Sequence, residues 1–147
     1  MSLDVDVTTN GERSLSRSRI IQIAQSALRA EKVRHALVSI TLLDRRRMAR
    51  LNGTHLRHRG PTDVISFGFT RATPKDPVVG DIYVCPDVAR ENALARREPI
   101  RRELTRLVVH GVLHILGHDH PETDAREQSP MWKRQEKIVA RLARGTR

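Results

Sequence analysis

The sequence predicts a one-domain α/β (α+β) fold: a mixed sheet of about four strands, packed with helices, and a central helix carrying a histidine cluster. Three observations predict it. The chain has 147 residues, a length that suits one domain (1–147) burying a core of its own. Short alternating or β-branched runs are interspersed with longer runs of helical period. The most apolar helical run contains His110 and His114, so that helix should lie centrally against the sheet, with its histidine face opening into a cleft. Only 3% of residues are aromatic, which leaves Leu, Ile, Val and Ala to fill the core.

Leu3 to Val7 alternates apolar and acidic residues, as a strand with one wet face would. Asn10-Gly11 is a turn signal. Ser18 can cap a helix whose apolar positions Ile20, Ile21, Ala24, Ala27 and Leu28 recur at helical spacing. Ala36 to Leu43 reads as a buried strand. Asp44 then caps a short basic helix through Arg45, Arg46, Arg47 and Met48 to Leu51, closed near Asn52-Gly53. Asp63 to Phe69 is a strand with Val64, Ser66 and Gly68 on one face and Ile65, Phe67 and Phe69 on the other. Ala72 to Pro77 is a loop, Gly80 to Val84 a further short strand, and Pro86 to Arg97 a helix. Pro99 stands near the start of the longest apolar helix, through Leu104, Leu107, Val108, Leu113 and Leu116. A final helix from about Asp124 to Leu142 presents Trp132, Ile138, Val139 and Leu142.

The formal net charge is +10, and only Lys32, Lys75, Lys133 and Lys137 of the basic residues are lysine. An arginine surplus of this size favours a polyanionic partner, because the planar guanidinium can bind two phosphate oxygens at once. A chain-wide preference for arginine is the alternative source of the excess. The single cysteine, Cys85, excludes an intramolecular disulfide; just before Pro86, it reads as a half-buried small residue rather than a nucleophile or ligand. The N-terminus lacks a charged stretch leading into an apolar run, and no segment approaches the ~20 apolar residues of a membrane span. The chain therefore reads as soluble and cytoplasmic, with no membrane partner.

The run HGVLHILGHDH, His110 to His120, carries the chemistry. His110 and His114 are four residues apart, so on a helix they project from one face. Gly117 can end that helix in a left-handed conformation, letting the chain double back with His120. Three converging imidazoles read as a metal site for one zinc ion, with a fourth position open for chemistry. In the peptidase motif H-E-x-x-H a glutamate general base follows the first histidine; here that residue is Gly111, which cannot take a proton. Asp119 is the nearest carboxylate in sequence and suits either orienting a ligand imidazole or acting on water. The competing reading is a closed structural site with His118 as fourth ligand. His35, His55 and His58 read as solvated.

The same run resembles the signature of the YbeY endoribonucleases, H-G-x-L-H-x-x-G-[YH]-D-H, at every fixed position. Leu51-Asn52 followed by PTDVISF (Pro61 to Phe67), and GDIYV (Gly80 to Val84), are also similar to that family. The resemblance covers roughly Leu3 to Val139. It implies a single-strand-specific, metal-dependent endoribonuclease with His110, His114 and His120 as zinc ligands. It further implies a role in late maturation of the small ribosomal subunit, including the 3′ end of 16S rRNA, and in ribosome quality control. Many members of the family carry an arginine five residues before the Pro-Thr pair, where this chain has Leu56; Arg57 or Arg59 is the candidate replacement.

Read from the residues alone, Arg57 and Arg59 before Gly60-Pro61 suit a phosphodiester, whose developing charge they could stabilise; a solvated basic loop is the plainer alternative. Few aromatics are available for stacking, so recognition of single-stranded RNA should rest on phosphate contacts. Two rival readings stay open: a non-catalytic RNA- or ribosome-binding assembly factor in which zinc only fixes the fold, and a metallohydrolase of another substrate class.

Overall fold

The computed structural model describes residues 1–55, 60–120 and 124–144. The alternating N-terminal run forms β1 (Ser2–Thr8), followed by α1 (Arg17–Ala30), β2 (His35–Leu42) and α2 (Arg45–His55). Then come β3 (Val64–Phe69), β4 (Val78–Val84), α3 (Pro86–Arg96), α4 (Ile100–Ile115), a 3-10 turn (Asp124–Gln128) and α5 (Pro130–Arg144). The strands form one sheet in the order β1-β2-β4-β3. β1, β2 and β4 run parallel, whereas β3 returns antiparallel to β4 with Val64 opposite Val84. The mixed four-stranded sheet expected from the sequence is the one observed.

Local chemistry accounts for most boundaries and corrects several. Ser16, not Ser18, caps α1: it is extended, and its hydroxyl accepts from the Arg19 amide at 3.0 Å. Asp44 caps α2 as expected, its carboxylate accepting from the Arg47 amide at 2.8 Å. β4 starts at Val78 rather than Gly80, because Val78 and Val79 already pair with Ala36 and Leu37. The expected final helix is two pieces. Pro130 has no amide hydrogen and disfavours a helical residue before it, so the 3-10 turn stops and α5 begins afresh. Ser129 caps that start, accepting from the Trp132 amide at 3.2 Å. Cys85 is fully buried, not half-buried.

The main core joins α1, α4 and α5 to one face of the sheet, through residues such as Ile20, Leu28, Ile40, Ile82, Val108 and Ile138. On the other face Met48 and Leu51 of α2 pack with Ile65, Phe67 and Tyr83. The two faces of β3 are thus those its alternation indicates. Helix α4 packs close to the sheet where glycines leave room. A β-carbon at Gly111 would stand 2.7 Å from Ile82 Cγ2, and one at Gly68 would stand 3.0 Å from the Ile115 carbonyl oxygen. Gly111 and Ile115, four residues apart, therefore face the strands. His110 and His114 each precede one of this pair by one residue, a rotation of about 100°, which places them on the flank of α4. Among the described residues, no helix is long and apolar enough to cross a membrane.

Candidate metal centre

Helix α4 supplies His110 and His114 from successive turns, and its C-terminus delivers His120. Gly117 adopts φ +98°. Its amide donates to the His114 carbonyl at 3.0 Å, and the His118 amide donates to the Leu113 carbonyl at 3.0 Å. This is the paired closure of a Schellman motif, which needs a left-handed residue at Gly117. The turn is also tied from outside. His118 Nε2 meets Glu31 Oε1 at 2.6 Å, and Arg134 Nε donates to Glu31 Oε2 at 2.7 Å. Glu31 follows α1 and Arg134 lies on α5, so three elements hold the turn that carries His120.

The result is a compact group. The ligand nitrogens of His110, His114 and His120 all lie within 4.8 Å of one another. Their ring centres are 4.6, 5.0 and 4.9 Å apart in the three pairs. Among the described residues no fourth histidine, cysteine or carboxylate joins this group. His118 is turned to Glu31 instead, which removes the closed site with His118 as fourth ligand. His35 is exposed at the start of β2, as expected. Arg57, Arg59 and His58, like the side chain of His55, lie outside the described residues.

The donors suit a borderline metal ion. Burial, above all, lowers the His110 pKa to about 4, and the charges of His114 and His120 push the same way against the bond to Gln135. Burial also lowers His114, with His120 adding to it and Asp119 opposing. Both rings are therefore neutral at pH 7 and hold lone pairs for a cation. Three imidazoles at this spacing fit zinc or a similar ion.

The tautomer of His110 can be read from its partner. Gln135 is fully buried, and its oxygen lies 2.6 Å from His110 Nδ1. Its amide nitrogen donates to Glu136 Oε2 at 3.0 Å, so the oxygen is the atom facing the ring and must accept. Nδ1 then carries the proton, and Nε2 presents its lone pair to the group. Glu136 in turn accepts two bonds from Arg106 at 2.9 Å each, and Arg106 also binds Glu98 at 2.9 Å and Glu103 at 2.6 Å. Burial opposes the Arg106 charge, but its donated bonds to Glu136, Glu98 and Glu103 outweigh it and raise its pKa. A buried ion network thus stands behind one histidine of the group.

The Asp119 carboxylate accepts from the His120 amide at 2.9 Å rather than from a described ring. It braces the turn, and its charge raises the His114 pKa. Gln135 is the residue sequence reasoning missed. It follows Met131 by four and precedes Val139 by four, and all three are buried. A polar residue in an apolar stripe was the available signal. Gly111 has a second meaning as well. A side chain there would run into Ile82 of the sheet, so on this helix the residue after His110 points away from the histidine group.

The family profile described as Endoribonuclease YbeY matches residues 6–143. A relative of that name from Frankia alni is 37% identical over 142 residues, covering 89% of this chain and 77% of its own. Another from Thermobifida fusca is 32% identical over 147 residues, covering 94% and 93%. A solution structure of a Thermotoga maritima protein shares the fold, with a TM-score of 0.62 at 24% identity over 97% of this chain and 93% of the other. With the profile spanning nearly the whole length and the relatives aligned along it, the chain belongs to the YbeY endoribonuclease family.

Proposed function

We propose that this protein is a zinc-dependent endoribonuclease that cuts single-stranded RNA, with rRNA of the small ribosomal subunit, including the 3′ end of 16S rRNA, as its substrate in the cytoplasm. The observation that carries the reading is the three-histidine group with no fourth protein ligand among the described residues, within a chain of the YbeY family. His110, His114 and His120 would hold the ion. When bound, zinc supplies Lewis acidity to a phosphodiester oxygen and lowers the pKa of water toward about 7.

The chain's own residues do the rest. Gln135 holds the His110 ring with Nε2 presented, and the Glu31–His118 contact holds the turn that presents His120. The net charge of +10 draws a polyanion toward the protein and weakens with salt. Arg126, close enough to lower the His110 pKa through its charge, is a positive group for the phosphodiester, and Arg57 and Arg59 are proposed to add to it. Asp119 is proposed to orient the site through the turn.

The test is cleavage of single-stranded rRNA fragments by zinc-loaded protein and by His114→Ala. The variant is expected to lose both bound zinc and cleavage. Cutting by metal-free protein would overturn the metal-dependent reading, and zinc-replete protein that binds RNA without cutting it would favour an assembly factor. Mapping the cut ends identifies the nucleophile, since a 2′,3′-cyclic phosphate requires attack by the neighbouring 2′-hydroxyl.

A further inference from the structure

Beside His110 the surface opens into a cleft of about 370 Å³, within the range of small-ligand pockets. Its walls include Asp63 ahead of β3, Asn92 and Arg96 of α3, Arg126 of the 3-10 turn, and Trp132 of α5. Trp132 is the chain's one tryptophan, and it is half-buried in this wall. The guanidinium carbons of Arg96 and Arg126 lie 5.1 and 5.8 Å from its ring centre. Composition alone suggested a protein poor in stacking surface; the fold sets its single tryptophan next to the metal group.

The charge balance indicates what the cleft takes. The lining guanidinium groups of Arg96, Arg106 and Arg126 face the carboxylates of Asp63, Glu103 and Glu127. Arg106 is spent on Glu103 at 2.6 Å, and Arg96 on Glu127 at 3.1 Å. A near-neutral cleft is a poor phosphate site, but the Trp132 ring with the guanidinium groups of Arg96, Arg106 and Arg126 over it is a stacked layer that a flat, uncharged heteroaromatic can extend. Asp63 accepts from Asn92 at 3.0 Å and, as a carboxylate, retains lone pairs for further donors such as exocyclic amines.

We propose that this cleft is a nucleobase subsite, which takes the unpaired base of a nucleotide flanking the phosphodiester held at the histidines and stacks it against Trp132. The inference rests on the ribonuclease reading and deepens it. A base can enter only when it is unstacked from a partner strand, so the cleft itself would impose the single-strand requirement.

Because Trp132 is unique, its fluorescence reports on the cleft alone. Metal-stripped protein is titrated with hexaadenylate RNA, and binding is followed separately by anisotropy of an end label. Saturable quenching that tracks binding is expected, whereas inorganic polyphosphate, which has no base, should leave the emission unchanged. Trp132→Leu should weaken hexaadenylate binding about tenfold, and Trp132→Phe, which keeps a ring, by no more than about threefold. Circular dichroism of both variants shows whether they fold. RNA that is bound, or cut by zinc-loaded protein, with unchanged Trp132 emission overturns the subsite alone. So does equal quenching by polyphosphate, or parental affinity in Trp132→Leu. Hexaadenylate neither bound nor cut under any condition overturns the ribonuclease reading and the subsite with it.

Discussion

Replacing Gln135 by leucine should weaken zinc binding while leaving the metal-free fold nearly as stable as the parent. The side chain is fully buried and accepts from His110 Nδ1 at 2.6 Å, so leucine removes the acceptor and supplies none in its place. A buried donor left without a partner costs about 1–3 kcal/mol. Metal-free protein can avoid that loss, because a neutral imidazole moves its proton to Nε2. A metal ion on Nε2 forbids the move and traps Nδ1–H against the leucine. The cost therefore falls on the metal-bound state, and the expected loss of affinity is about 10- to 100-fold. Competition with a chromophoric zinc chelator measures it, and urea unfolding of the metal-free variant provides the control. Glu136 keeps its bonds to Arg106 in the variant, so the ion network remains paired. Zinc affinity within about threefold of the parent would refute the positioning role.

Two further predictions follow from the close seat of α4 and from the buried histidines. Gly111→Ala puts a methyl 2.7 Å from Ile82 Cγ2, a branched group close to the backbone that cannot swing aside. It should lower stability by about 1–3 kcal/mol, read from urea unfolding, and an unchanged midpoint would refute the close packing. Metal-free protein should lose stability on mild acidification. His110 has its pKa lowered to about 4 against about 6.5 in an unfolded chain. Below about pH 6.5 the unfolded state takes a proton that the folded state refuses, so stability falls with pH until about pH 4 and this contribution then levels off. His114 is shifted the same way. Unfolding midpoints that do not change between about pH 7 and about pH 5 would contradict the buried, neutral cluster.

The legible parts of the molecule were those written in local spacing. His110 and His114 four apart, Gly117 at the helix end and the alternating faces of β3 are short-range facts. Helical pitch and strand pleat turn them directly into geometry. The boundaries that slipped did so for local reasons of another kind. Ser16 and Ser18 are equally good caps in composition, and only the backbone shows which of them is extended. Ser129-Pro130 was an available stop signal inside a run that otherwise reads as one helix.

What the sequence by itself determined was the histidine set that could hold a metal, the family signature and the fold class, because each rests on residues close in the chain or on a repeating period. The tertiary structure alone decided which groups stand around that set. Gln135 reaches His110 only because α5 packs on α4, and His118 turns to Glu31 only because α1 ends beside that turn. Trp132 enters the cleft by the same packing. No period in the chain encodes a meeting between residues tens of positions apart. It comes from apolar faces burying one another, which brings their polar neighbours along.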